Sequence, residues 1–130
     1  MDMIERRALL HGKTNPDRKL DYVITLSSQL STCNQAQKVV LRYIPDRFIL
    51  DGDAFAQYLE AIDKATWNSP EDVAVAVLCD VNNEIIGRWV QVSLEAPLAQ
   101  GSVLSNHAVV LEDRQPGWDN PSLLGRLERI

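Results

Sequence analysis

The stretch that decides the fold is NPDRKLDYVITLSSQLSTCNQAQKVVLRYIPDR, residues 15–47. It predicts two strands, at about 20–28 and 37–44, because both runs are rich in β-branched and aromatic residues. About eight residues join them, a length that suits an antiparallel hairpin with a longer loop. Pro45 is expected to end the second strand, since proline cannot donate to a ladder.

Two helices are predicted after this hairpin. The first, at about residues 54–65, repeats apolar side chains at spacings of three and four. The second begins with Ser69 as N-cap, because a proline and two acids follow it, and is expected to stop near Asn82. Two more strands are predicted, at about 88–95 and 107–112.

The element order is therefore strand, strand, helix, helix, strand, strand. This order favours an α+β fold with an antiparallel sheet and both helices on one face. The two sheet edges and the opposite face would then be uncovered in a single chain, and exposed edges invite pairing with another chain. We therefore expect a homo-oligomer, with several sheets closing into one barrel.

Length and composition indicate one globular domain, residues 1–130, since 45% of the residues are hydrophobic. The formal net charge of −5 argues against a nucleic-acid partner, because phosphate-backbone affinity depends on lysine and arginine. The N-terminus, MDMIERRALL, has no apolar run typical of a signal peptide, and no later run reaches membrane-spanning length. We expect a cytoplasmic protein without a membrane partner.

Cys33 stands in the polar connection of the hairpin and is the residue whose chemistry suggests a site. Cys79 lies inside the second helix and is expected to be a small buried hydrophobe. His11 and His107 are expected to be a solvated loop residue and a strand-edge residue. The two cysteines and two histidines lie in separate elements without ligand spacing, so no metal site is predicted.

The fold core is predicted over about 14–112, with a C-terminal extension over 113–130 that ends in a short helix, 122–130. The extension is rich in turn residues and carries an aromatic residue and several leucines. Such apolar side chains on an extension are candidates for contact with a protein partner. They are Trp118, Leu123, Leu124 and Leu127.

The ordered series of short segments resembles the QueF family, the NADPH-dependent 7-cyano-7-deazaguanine reductases. The segments are Asn15-Pro16, then DYVITL at 21–26, then Ser31-Thr32-Cys33, and then RYIPD at 42–46. The resemblance covers about residues 14–95. It implies a T-fold of ββααββ units, in which tunnelling assemblies bind purine- or pterin-like bases at subunit interfaces.

The resemblance also implies a reaction of queuosine biosynthesis, in which a nitrile is reduced to a primary amine. The family's cysteine, matched here by Cys33, forms a covalent thioimide with the nitrile carbon. A nearby aspartate supplies protons and NADPH supplies two hydrides. A glutamate anchors the substrate base, and Asp51 stands at that position in this chain.

Three family positions are altered in this sequence. Asn34 to Gln37 follow the cysteine, so the family's proton-donating aspartate has no counterpart there. Asp51 is one methylene shorter than the anchoring glutamate, and Asp53 replaces a lysine. Three functions therefore remain open: a QueF-like reductase, a non-catalytic T-fold subunit for binding, assembly or regulation, and a different enzyme that acts on a pterin- or purine-like heterocycle.

Overall fold

The computed structural model describes residues 1–127 and shows one four-stranded antiparallel sheet of order β2-β3-β5-β6. Helices α2 and α3 pack on one face of it, which confirms the predicted α+β class. A 3-10 turn, Thr32–Asn34, joins β2 to β3. The helices and strands are α1 (Met3–Ala8), β1 (Gly12–Thr14), β2 (Ile24–Leu30), β3 (Gln37–Ile44), β4 (Phe48–Leu50), α2 (Gly52–Lys64), α3 (Pro70–Ile85), β5 (Trp89–Pro97), β6 (Asn106–Arg114) and α4 (Pro121–Leu124).

The strand register separates apolar and polar residues onto opposite faces of the sheet, as the alternation in each strand requires. The apolar row that crosses all four strands and faces the helices is Leu26, Leu41, Val92 and Leu111. The neighbouring row, which points away from the helices, is Thr25, Arg42, Gln91 and Glu112. The face without helices is therefore polar along this row.

Each of the two long helices begins at a capping side chain that the sequence contains locally. Asp51 accepts a hydrogen bond from the Ala54 amide at 3.0 Å, and Ser69 accepts one from the Asp72 amide at 3.2 Å. These bonds satisfy amides that have no partner within the helix. The apolar stripes then face the sheet and are fully or almost fully buried; they comprise Phe55, Leu59 and Ile62 on α2 and Val73, Val77 and Val81 on α3.

The first strand of the sheet begins at Ile24, four residues later than the predicted start near residue 20. The preceding loop is held instead by Asn15, which is buried and donates to the Asp46 carbonyl at 2.7 Å. Arg88 also binds the loop, through the Leu20 carbonyl at 3.1 Å and the Asp21 carboxylate at 2.8 Å. These side-chain contacts take the place of ladder pairing.

The sequence did not reveal the two-stranded sheet of β1 and β4, in which Gly12 pairs with Leu50 and Thr14 pairs with Phe48. Each strand is only three residues long, too short for alternation to be recognised. Leu10, just before β1, is 2% exposed and belongs to the hydrophobic core. The N-terminal residues therefore contribute to the core.

Cys79 is exposed, so the prediction that it is buried is wrong. It lies two residues from Val77 and two from Val81, which form the buried stripe of α3. Two residues correspond to about 200° of rotation around an α-helix, so Cys79 points away from the core. Helix α3 also continues past Asn82, where an end was predicted, as far as Ile85.

Asp80, on α3, is a buried carboxylate with three partners. It is 1% exposed and accepts from Arg6 Nε at 3.0 Å, from Arg7 Nε at 2.8 Å and from the Tyr58 hydroxyl at 2.6 Å. Helix α1 contains no buried residue, so these arginines provide much of its attachment to the helical layer. The carboxylate therefore joins α1, α2 and α3.

Ile86, directly after α3, lies in the left-handed region with φ 46° and ψ 60°. A β-branched residue is crowded there, at a cost of about 1–2 kcal/mol. The Ile86 amide donates to the Asn82 carbonyl at 2.9 Å, and the Ile86 carbonyl accepts from Gln115 Nε2 at 3.0 Å. Hydrogen bonds on both sides thus hold the strained residue.

Replacing Ile86 by glycine should raise the free energy of unfolding by about 0.5–1 kcal/mol, measured by urea or thermal denaturation. Glycine adopts this conformation freely, and little packing is lost because the Ile86 side chain is 62% exposed. The matched control is Val75→Gly, at a 49% exposed position inside α3, which should be destabilising. Destabilisation at both positions would contradict the strain at Ile86.

The C-terminal part of the chain contains a shorter helix than predicted, α4, which covers Pro121–Leu124. The last three residues of the predicted helix, 128–130, lie outside the described residues. Among residues 1–127, no helix has both the length and the apolar character that crossing a bilayer requires.

Candidate functional site

Cys33 occupies the middle of the 3-10 turn that ends β2, with a half-buried side chain. Its φ is 56°, and that of Asn34 is 58°, so two consecutive residues lie in the left-handed region. Asparagine tolerates this conformation better than most residues, whereas cysteine does not. Backbone strain of this kind is often found at functional sites, so this turn is a candidate functional site.

Buried polar residues on both sides of Cys33 fix the turn. The Thr32 hydroxyl donates to Gln37 Oε1 at 2.6 Å, and Gln37 Nε2 donates to the Thr32 carbonyl at 3.3 Å. Thr32 is 2% exposed and Gln37 1% exposed, so these bonds are shielded from water. The Gln35 amide also donates to the Thr32 carbonyl, at 3.1 Å. The thiol is therefore carried by a preorganised turn.

The last turn of α2 and the residues just after it form the other side of the Cys33 turn. The Ser31 amide donates to Asp63 Oδ1 at 2.5 Å, and the Cys33 thiol donates to the Trp67 carbonyl at 3.7 Å. Gln35 Oε1 is buried, and no hydrogen-bond donor within residues 1–127 reaches it. Neither Asp63 nor Trp67 has a recognisable signal in the sequence, because only the tertiary fold brings the end of α2 beside the hairpin.

Asp51 is the N-cap of α2 and forms an ion pair with Lys13 of β1. Its Oδ1 lies 2.7 Å from Lys13 Nζ, and its Oδ2 accepts from the Ala54 amide at 3.0 Å. The hydrogen bond from Lys13, followed by that from the Ala54 amide, lowers the pKa of Asp51 below its ordinary value. The carboxylate is therefore a charged acceptor, and about two of its four lone-pair positions are already used.

The structure does not bring Cys33 and Asp51 together within one chain. Asp51 caps the start of α2, whereas Asp63, which contacts the Cys33 turn, lies in its last turn. Twelve residues of α-helix separate these two aspartates, a distance of about 18 Å. This distance is greater than the length of a bicyclic base, so one such ligand cannot contact both Cys33 and Asp51 of the same chain.

The residues that carry the sequence resemblance at Asn15 and RYIPD serve a structural cluster centred on Arg88. Its guanidinium, 15% exposed, lies 2.8 Å from an Asp21 oxygen and 3.3 Å from an Asp46 oxygen. The Tyr22 hydroxyl donates to Asn15 Oδ1 at 2.5 Å in the same loop. These contacts fix the loop before β2 to the end of β3.

The C-terminal extension contacts the rest of its own chain at several places. Asn120 Nδ2 donates to Asp21 Oδ2 at 2.9 Å, and Gln115 Nε2 donates to Asp46 Oδ2 at 3.1 Å. The predicted contact residues Trp118, Leu123, Leu124 and Leu127 are half-buried. Their role toward a protein partner stays a prediction. Among residues 1–127, no three histidine, cysteine or acidic side chains are grouped as a metal ion would require.

The sheet with two helices on one face defines the class of protein, because solved T-fold structures superimpose on it. An archaeosine synthase QueF-Like in the apo form has a TM-score of 0.57 at 17% identity, covering 71% of this chain and 91% of its own. Dihydroneopterin aldolase from Burkholderia thailendensis bound to guanine also has a TM-score of 0.57, at 14% identity, covering 78% of this chain and 97% of its own. The chain therefore has a T-fold.

Sequence comparison gives the nearer relationship. The NADPH-dependent 7-cyano-7-deazaguanine reductases of two Acidithiobacillus ferrooxidans strains, ATCC 53993 / BNL-5-31 and ATCC 23270, are each 25% identical over 130 residues. The match covers 90% of this chain and 85% of the reductase. No protein-family model matches the chain. The protein is thus a distant homologue of the QueF reductases, as its sequence predicted.

Proposed function

We propose that this protein is a homo-oligomeric T-fold protein that captures a nitrile-bearing, purine-like heterocycle, such as 7-cyano-7-deazaguanine, through Cys33. The observation that carries the proposal is the preorganised turn that holds a half-buried thiol in a left-handed conformation. In the capture step a bond forms between Cys33 Sγ and the nitrile carbon. The C≡N bond becomes C=N, and the thiol proton ends on the nitrogen, so no further reactant is needed.

The proposed site is shared by two chains. The Cys33 turn lies beside the last turn of α2, whereas Asp51 caps the start of the same helix. Cys33 of one chain and Asp51 of another chain would therefore meet across a subunit contact. The outer edges of β2 and β6 have no strand partner within residues 1–127, so each can pair with another copy. The unpartnered Gln35 Oε1 also favours a donor from a ligand or a second chain. The assembling unit is the single domain of residues 1–130.

Asp51 would recognise the base edge in this site. Its remaining lone pairs can accept from adjacent N–H groups of a guanine-like ring, and its lowered pKa keeps it charged. The surrounding residues do not fit the phosphate of NADPH. Lys13 is already paired with Asp51, and Asp53 adds a second negative charge nearby. We therefore derive no hydride step for this chain.

Intact-mass measurement after incubation with 7-cyano-7-deazaguanine tests the capture step. We expect one adduct per chain, lost in Cys33→Ala and retained in Cys79→Ala, whose thiol is the exposed control. Iodoacetamide should label both thiols of the wild-type chain and so shows that each is accessible. Labelling of Cys33 by iodoacetamide without a nitrile adduct would reject the covalent step.

Mixed oligomers test the shared site. Cys33→Ala and Asp51→Ala chains, each defective alone, should recover part of the adduct formation when they are unfolded and reassembled together. Only a site built from two chains can be restored in this way. A monomeric mass by light scattering, or no recovery from mixtures that do assemble, would contradict the arrangement.

A non-catalytic T-fold subunit is the second candidate, and a specific contact favours it. The Cys33 thiol donates its proton to the Trp67 carbonyl, a contact that a nucleophilic thiolate would lose. In this case the same heterocycle should bind reversibly. Calorimetric titration would detect heat without any change of mass, and Asp51→Ala should abolish that heat.

A further inference from the structure

Helix α1 is attached to the domain by charge rather than by apolar burial. Its apolar side chains Met3 and Ile4 are exposed, so they do not hold it in place. Its two arginines instead lie against α3, where Arg6 Nε is 3.0 Å from one oxygen of Asp80 and Arg7 Nε is 2.8 Å from the other. The position of α1 therefore depends on these two guanidinium groups.

Arg6 makes a second contact that Arg7 does not make. The guanidinium carbon of Arg6 lies 5.4 Å from the centre of the Trp67 ring, within the distance of about 6 Å at which a cation attracts an aromatic face. The Arg6 side chain is 15% exposed, so little water screens this attraction. Among residues 1–127, Arg7 lies over no aromatic ring. Asp80 thus fixes Arg6, and Arg6 in turn fixes the Trp67 ring.

Trp67 is also the residue whose main chain contacts the Cys33 thiol. It lies in the connection between the end of α2 at Lys64 and the start of α3 at Pro70. The Trp67 indole N–H donates to the Ile62 carbonyl at 2.9 Å, and the Trp67 carbonyl accepts from Cys33 Sγ at 3.7 Å. The guanidinium on one side of Trp67 and the sulfur on the other are therefore linked through a single residue.

We propose that Arg6 is a positioning residue for Cys33 and acts through Trp67. The guanidinium holds the ring, and the ring holds the Trp67 carbonyl against the thiol. The inference rests on the proposed function only in taking Cys33 as the reacting group. A thiolate is the nucleophilic form of cysteine and has no proton to donate to a carbonyl. Helix α1 therefore restrains the thiol while Arg6 is in place, and loss of Arg6 releases it.

Alkylation by iodoacetamide, followed by peptide mass spectrometry, measures the reaction rates of Cys33 and Cys79 in the same sample. We expect Arg6→Gln to accelerate alkylation of Cys33 at least about threefold and to leave that of Cys79 unchanged. Glutamine can still donate to Asp80, but it places no charge over the ring. Arg6→Lys returns the cation and should restore a rate close to that of the wild-type chain.

Arg7→Gln is the matched control, because it removes one charge from the same Asp80 carboxylate without removing the cation over Trp67. Urea denaturation should show a similar loss of stability for the two glutamine variants, whereas only Arg6→Gln should change the alkylation of Cys33. A double-mutant cycle gives the second test. Trp67→Leu should itself accelerate the alkylation, and Arg6→Gln should then have no further effect.

Three results would overturn the link from Arg6 to Cys33. They are an unchanged alkylation rate in Arg6→Gln, equal acceleration by Arg6→Gln and Arg7→Gln, and a further acceleration by Arg6→Gln in the Trp67→Leu background. The proposed function would still stand, because the nitrile adduct on the wild-type chain tests it separately. Absence of that adduct, together with the expected alkylation rates, would overturn the proposed function and leave the link in place.

Discussion

Replacing Asp80 by asparagine should lower the free energy of unfolding by about 2–3 kcal/mol, because the hydrogen bonds to a buried charged acceptor are lost while both arginines keep access to solvent. Asp80 is the only buried carboxylate among residues 1–127, so no equally buried acceptor replaces it. Urea denaturation measures the loss. Trypsin should also cleave after Arg6 and Arg7 faster, because α1 has no buried residue to hold it.

Glu60→Gln serves as the control for Asp80→Asn, since it removes one negative charge from an exposed helical position and should change stability by less than about 0.5 kcal/mol. A triple replacement of Asp80, Arg6 and Arg7 by apolar residues of similar volume should recover part of the loss. Equal stability of Asp80→Asn and Glu60→Gln would show that the ion pairs do not hold α1.

Alkaline pH should destabilise the protein steeply through Tyr43 and Tyr58. Burial raises the pKa of both phenols, and the hydrogen bond to Asp80 raises that of Tyr58 further. The folded state therefore retains protons that the unfolded chain releases above pH of about 10. Each phenol contributes stability that is complete below this pH and is lost by up to about 1.4 kcal/mol per pH unit above it.

Urea denaturation at a series of pH values between neutrality and strongly alkaline conditions measures how steeply the free energy of unfolding falls as the pH rises. Tyr58→Phe and Tyr43→Phe should each make this slope shallower, and the double replacement should remove both contributions. The slope is the quantity to compare, because Tyr58→Phe also loses the hydrogen bond to Asp80. An unchanged slope in the double variant would show that the two phenols ionise as readily in the folded protein as in the unfolded chain.

The contacts of the polar side chains were only partly predictable from the sequence. Cys33 and Asp51 could be selected because each stands at a position of the resemblance, but their separation depends on the direction and length of α2. Asp80 gave no signal, since its partners Arg6 and Arg7 lie more than 70 residues away in the chain. Cys79 lies off the apolar stripe of its helix, and this position outweighed the general preference of free cysteine for burial, on which the prediction of a buried side chain depended.

The sequence by itself determined the four strands of the main sheet, the two long helices and the order of these six elements. Alternation in the strands, apolar stripes in the helices and the caps at Asp51 and Ser69 are local properties, so a short stretch of chain contains all that specifies them. Tertiary structure alone decided which polar groups meet. It placed Asp63 beside the Cys33 turn, set Asp51 at the far end of the same helix and buried Asp80 under α1, because contacts between distant residues depend on how complete elements pack.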